Sequence, residues 1–144
     1  MTTTASDTTG TGIAILLVED DGGLRGGMAD LLALGGYSVD AASDAYRAAV
    51  LLDRCSYRVV ISDIELPGHG LSTLDHARRR QPDTPVILVT GLTDPDFRRR
   101  ALEYGAFEML EKPISGPELL AAVERALESR MAVADMAEVA GSAA

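Results

Sequence analysis

The sequence has one cysteine, Cys55, in 144 residues, which excludes an intrachain disulfide or a cysteine-rich zinc site and makes a reducing compartment the simplest setting. It has no long apolar run. The first apolar stretch, residues 13–18, is too short to span a bilayer and follows no basic leader, so no membrane anchor is expected. Positive charge is in deficit as well: 13 Lys and Arg stand against 22 Asp and Glu, for a formal net charge of -9. That balance opposes nonspecific attraction to phosphate backbones and anionic lipid. No direct nucleic-acid or membrane partner is therefore expected, and a cytoplasmic location is. Histidine is scarce too. His69 and His76 have no second ligand set or nucleophile at suitable spacing, and read as a loop residue and a helix-surface residue.

What the chain does have is 47% hydrophobic residues, enough to fill a single core at this length. Residues 1–11, rich in Thr with Ser, Asp and Gly, read as a disordered leader. From residue 12 onward, apolar strand-like runs alternate with helix-period segments in five repeats, the pattern of a parallel sheet flanked by helices. The expected strands are 13–18, 37–41, 58–62, 86–90 and 107–110. In the first helix Leu24, Met28, Leu31 and Leu32 form one stripe, which Gly35-Gly36 ends. Ser43 is a candidate cap for a second helix carrying Ala45, Ala49 and Leu52. The third helix occupies 72–80, and Asp94-Pro95 caps and opens a fourth that Gly105 ends. The fifth covers 117–129 with Leu119, Leu120, Val123 and Leu127 inward. The folded unit thus spans 12–129. The tail, 130–144, carries Val133, Met136 and Ala140 at helical spacing; it prolongs the last helix, docks on a partner, or frays, which is the simpler expectation. Gly22, Gly23, Gly26 and Gly27 crowd the first helix. If helical, the latter two together cost roughly 2 kcal/mol relative to Ala, a looseness that either reaches the acidic loop before them or is simply tolerated.

In open parallel sheets, sites form where the carboxyl ends of the strands meet, and the polar residues here follow that rule. Glu19, Asp20 and Asp21 follow the first strand, Asp63 ends the third, Thr90 ends the fourth and Lys112 follows the fifth. Crowded carboxylates raise one another's pKa unless a cation compensates. Mg²⁺ fits, because it takes hard oxygen ligands and commonly needs only one or two carboxylates beside waters. Lys112 and the Thr90 hydroxyl add a cation and a neutral donor aimed at further oxygens, a combination that suits a phosphoryl group.

Four segments carry these residues in order: "ILLVEDD", "VVISDIELPGHG", "VILVTG" and "EKPIS". Together they resemble the motifs of bacterial two-component response-regulator receiver domains, and the likeness covers about residues 12–129. The resemblance implies an α/β, flavodoxin-like (βα)5 doubly wound sandwich, with a five-stranded parallel sheet in the order 2-1-3-4-5. It further implies that Asp63 is the phosphoacceptor, that Glu19 and Asp20 with Asp63 hold Mg²⁺, and that the backbone carbonyl of Glu65 is a further ligand. Thr90 and Lys112 match the residues that contact the phosphoryl oxygens. Pro67-Gly68 would shape the loop after the acceptor, and Lys112-Pro113 would hold a cis bond, an isomer inexpensive only before proline. The implied phosphodonor is a sensor histidine kinase or a histidine phosphotransfer protein. A downstream protein would meet the face of the fourth helix, fifth strand and fifth helix, and homodimer formation stays open.

The sequence departs from the family at the position three before Lys112, where Met109 replaces the usual Tyr or Phe. An aromatic rotamer switch in its usual form is thus excluded, although coupling through Thr90 and the flexible Met109 is retained as an expectation. Phe107, read as lying on the same strand face, is a weaker substitute. Glu65 and Leu92 are candidates for modulating access to the phosphoryl group. The RRR runs at 78–80 and 98–100 read as solvated faces, the second on the helix where relatives bind partners. Nothing after the fifth helix is large enough for an output domain, so a stand-alone receiver is expected, signalling by binding, by phosphate relay or as a phosphate sink rather than as an enzyme. Two alternatives are a receiver-like adaptor that works without phosphorylation, favoured by the lost aromatic, and a small metal-dependent phosphohydrolase.

Overall fold

The computed structural model describes residues 12–64, 70–91 and 94–143, with backbone alone at 70 and 130–143. Among the described residues the alternating pattern yields five strands and five helices in succession: β1 (Ala14–Val18), α1 (Gly22–Leu34), β2 (Ser38–Ala42), α2 (Ala45–Arg54), β3 (Val59–Asp63), α3 (Gly70–Arg80), β4 (Val86–Thr90), α4 (Pro95–Glu103), β5 (Glu108–Glu111) and α5 (Gly116–Ala143). All strand pairs are parallel and the order is β2-β1-β3-β4-β5, the order the resemblance implies. Parallel pairing needs a long crossover between strands, and α1, α2, α3 and α4 each supply one. β3 and β4 are buried at every position, which explains their unbroken runs of Val, Ile and Leu.

Side chains alternate across the sheet and build two cores. Leu16, Val18, Val60, Leu88 and Met109 face Leu52 of α2, Leu74 of α3 and Ala101 of α4. Ile15, Leu17, Val59, Ile61, Ile87, Val89 and Leu110 face Met28 and Leu32 of α1, and Leu119 and Val123 of α5. Thus α2, α3 and α4 cover one face while α1 and α5 cover the other. Truncating a fully buried residue such as Leu88 to Ala would cost about 2–5 kcal/mol, so the strand ends stand on a stiff floor.

Local chemistry sets the element ends. Asp21 caps α1 by accepting from Leu24 N–H at 2.7 Å, and Gly36, with φ of 97°, turns the chain after that helix in a conformation few side chains tolerate. Asp44, not Ser43, caps α2, accepting from Arg47 N–H at 2.8 Å; both residue types cap well, so sequence alone misplaced the start by one. Asp94 caps α4 with Pro95 first, as expected. β2, β3 and β5 each begin and end one residue later than expected, which makes Asp63 the last residue of β3 itself. Ala48 rather than Ala49 joins Ala45 and Leu52 as a buried residue of α2, and Leu24 is 38% exposed at the open end of its stripe. The α5 backbone stays helical to Ala143 where fraying is the simpler expectation; residues 130–140 contain neither Gly nor Pro and four of them are Ala, the best helix former.

Candidate functional site

Parallel strands bring their carboxyl ends to one edge, and alternation decides which side each end residue takes. Leu17, Ile61 and Leu110 face the α1–α5 core, so Glu19, Asp63 and Lys112, each two residues further on, lean to that side. Leu88 and Met109 face the other core, and Thr90, two residues beyond Leu88, has their parity.

The three groups on the α1–α5 side meet. Lys112 Nζ donates to Asp63 Oδ2 at 2.7 Å and lies 3.3 Å from Glu19 Oε1. Glu19 and Asp63 are each only 2% exposed. Glu19, Asp20 and Asp63 each offer a carboxylate oxygen, and these atoms lie within 4.8 Å of one another. Asp21 stands apart from the cluster as the α1 cap, while its N–H donates to Glu19 Oε2 at 3.1 Å. Burial pushes Glu19 up to about 7; the charge of Asp63 adds to this, against the opposing pull of the Asp21 N–H and Lys112. Burial pulls Lys112 down, but its hydrogen bond to Asp63 and the charges of Asp63 and Glu19 outweigh it and leave its pKa above the ordinary lysine value.

One ammonium does not neutralise three carboxylates at this spacing. The donor set is all hard oxygen, close enough to share one ion, and a divalent cation would relieve the penalty that raises Glu19. The residues present therefore fit Mg²⁺ well. Glu65, whose carbonyl is the fourth expected ligand, lies outside the described residues, as do Pro67, Gly68, His69 and Leu92.

Thr90 is 2% exposed, and its carbonyl accepts the Lys112 N–H at 2.8 Å. Met109 is buried in the same core as Phe97 and Ala101 of α4, and Arg98 Nη2 donates to its carbonyl at 3.4 Å. Phe107 packs in the opposite core and does not share a face with Met109; it precedes β5, where strand alternation no longer holds. Lys112-Pro113 is cis. His76 meets Asp53 of α2 at 2.9 Å on the α2–α3 surface, in keeping with a helix-surface role.

Sequence reasoning missed Arg25. Its Nη1 donates to the carbonyls of Glu19 and Asp20 at 2.8 and 3.2 Å. The available signal was a cation at the end of the first turn of α1, where the helix dipole disfavours positive charge.

The family model for the response regulator receiver domain matches residues 15–124. The chain belongs to that family. Among curated relatives, the C4-dicarboxylate transport transcriptional regulatory protein DctD of Pseudomonas aeruginosa is 38% identical over 120 residues, 83% of this receiver chain but 26% of its own length. The regulatory protein VanRB of Enterococcus faecalis is 37% identical over 122 residues, 85% of this chain and 56% of its own. The receiver chain thus spans about a quarter to just over half the length of these relatives. Among solved structures, NtrX from Brucella abortus superposes with a TM-score of 0.82 at 29% identity, over 88% of this chain and 29% of that one. A CheY-like receiver domain protein from Methanospirillum hungatei JF-1 gives 0.79 at 26% identity, over 83% and 96%. Among the described residues no helix is long and apolar enough to cross a membrane.

Proposed function

We propose that this receiver domain is a cytoplasmic phosphoacceptor that takes a phosphoryl group on Asp63 from a phosphohistidine of a sensor kinase or a phosphotransfer protein. The observation that carries the reading is the 2.7 Å contact between Lys112 Nζ and Asp63 Oδ2 inside a cluster of three carboxylates. An Asp63 oxygen attacks phosphorus in line with the donor's N–P bond; the O–P bond forms as the N–P bond breaks, and the imidazole leaves to take a proton from solvent. Glu19, Asp20 and Asp63, with the Glu65 carbonyl, would hold Mg²⁺, which when bound neutralises charge on the transferred oxygens. Lys112 stays beside Asp63 and exchanges a carboxylate partner for a phosphoryl oxygen. Water later attacks phosphorus, releasing phosphate and restoring the carboxylate.

The added oxygens then draw the Thr90 hydroxyl toward them. Thr90 and Met109 share one side of adjacent strands, and Met109 lies in the core that Phe97 and Ala101 of α4 also build, so space opened at Thr90 would be felt by α4. Methionine has the rotatable bonds to move into it. The face of α4, β5 and α5, where the exposed Arg98 reaches the Met109 carbonyl of β5, is the surface offered to a downstream protein or to a second copy.

Incubation of the full chain with Mg²⁺ and a small acyl or amido phosphate, followed by intact mass, tests the reading. One phosphoryl adduct that disappears in Asp63→Asn is the expected result. No adduct on the wild-type chain would favour an adaptor that works unphosphorylated, and multiple turnover without an adduct would favour a phosphohydrolase.

A further inference from the structure

The first six residues of α1 are Gly22, Gly23, Leu24, Arg25, Gly26 and Gly27, four of them the weakest helix former after proline. A Cβ at Gly26 or Gly27 would meet nothing within 4 Å, so packing does not hold these positions either. Yet this loose helix start is continuous with the loop that presents two of the three clustered carboxylates, Glu19 and Asp20.

We propose that Arg25 is a positioning residue for the cation site, fixing the Glu19–Asp20 backbone so that both carboxylates face the ion; this rests on the Mg²⁺ reading of the site. Arg25 Nη1 donates to the Glu19 carbonyl at 2.8 Å and the Asp20 carbonyl at 3.2 Å. One nitrogen bridging two successive carbonyls restrains both peptide planes, and with them the directions in which the two side chains leave the backbone. The guanidinium lies against Gly22, whose added Cβ would stand 3.7 Å from Nη2. The loop's other restraints, Glu19 N–H on the Ala42 carbonyl at 3.0 Å and Asp21 N–H on Glu19 Oε2 at 3.1 Å, leave the Asp20 carbonyl to Arg25. Helix propensity offers no reason for the residue, since alanine would serve α1 better, and the dipole at a helix start disfavours a cation.

Two effects of Arg25 on a bound divalent ion oppose each other. Its charge repels the ion, but the side chain is only partly buried, where the effective dielectric is well above that of a dry interior and weakens the repulsion. Loss of a group that orients metal ligands typically weakens affinity about 10–100-fold, so positioning dominates. Alanine at this position is the discriminating change, because it removes both effects together and their net sign is then read directly.

The test is a calorimetric Mg²⁺ titration of the full chain with Arg25→Ala and Arg25→Met, together with amide hydrogen exchange of the metal-free proteins. Both variants are expected to bind Mg²⁺ about 10–100-fold more weakly, with an unchanged or raised melting midpoint and faster exchange confined to residues 19–22. A merely structural role in α1 would lower the midpoint and leave the affinity of the folded protein alone. Arg25→Met keeps an unbranched stem without donors, and decides the matter should the alanine variant fail to fold. Affinity equal to or tighter than wild type in the folded variants overturns the proposal. Absence of Mg²⁺ binding by the wild-type chain would instead overturn the site reading on which it rests.

Discussion

The two ends of β3 are built on opposite principles. Below its start, side chains tie down the backbone: Gln81 accepts the Tyr57 N–H at 2.9 Å and donates to the Leu52 and Cys55 carbonyls at 2.9 and 2.6 Å. Thr84 donates to the Tyr57 carbonyl at 2.8 Å, and the Tyr57 hydroxyl donates to Asp40 at 2.6 Å. Burial, reinforced by Asp40, pushes the Tyr57 pKa far up, so the phenol remains a donor. At the other end, Asp63 shares one ammonium with Glu19, and among the described residues no ammonium pairs with Asp20 beside them. A satisfied network fixes one arrangement, whereas a charge-deficient cluster invites a ligand. The amino end of the strand therefore holds the fold, and the carboxyl end is left to do chemistry.

Changes at the two ends should separate cleanly. The largest contrast is at Asp63 itself: Asp63→Asn is expected to abolish phosphorylation, while variants at the amino end retain it whenever they fold. Next, Lys112→Ala should uncouple phosphorylation from conformational response, so that the α4 amide resonances of the phosphorylated variant stay where they are in the unphosphorylated protein. An α4 shift equal to that of wild type would count against Lys112. Gln81→Ala removes a side chain that serves three backbone groups and should cost about 2 kcal/mol in urea unfolding, with adduct formation unaffected.

A comparable effect appears in the pH profile of metal-free stability. Glu19 moves from an ordinary value of 4.5 up to about 7, so the folded chain keeps a proton that the unfolded chain has released. Stability should fall as pH rises from about 4.5 to about 7 and stay lower above that window. Glu19→Gln flattens this slope, and a slope identical to wild type would show that Glu19 is not its source. The smallest change is Gly26→Ala, open to solvent on α1, expected to stabilise by up to about 1 kcal/mol; a loss of stability in thermal unfolding would contradict that.

Much of this division was legible in the sequence, for physical reasons. A carboxylate at the end of "VVISD" stands out because an unpaired charge is so costly in a buried strand, and three further polar residues stand at the ends of apolar runs in the same way. Sheet order came from family resemblance rather than from periodicity. What stayed hidden depends on folded geometry. Gln81 bonds to carbonyls 26 and 29 residues away, and Arg25 reads backbone rather than side chains, so no pattern of residue types announces either. Phe107 takes the other face because period two holds only inside the strand, and Asp44 rather than Ser43 caps α2 because neighbouring residues cap almost equally well.

The most direct measurement is a Mg²⁺ titration of the metal-free chain followed by its backbone amide resonances. The account predicts that Glu19, Asp20, Asp63 and Lys112 shift together with a single midpoint, while Tyr57, Gln81 and Thr84 stay still. Separate midpoints for those four residues, or shifts spread evenly over both ends of β3, would contradict it.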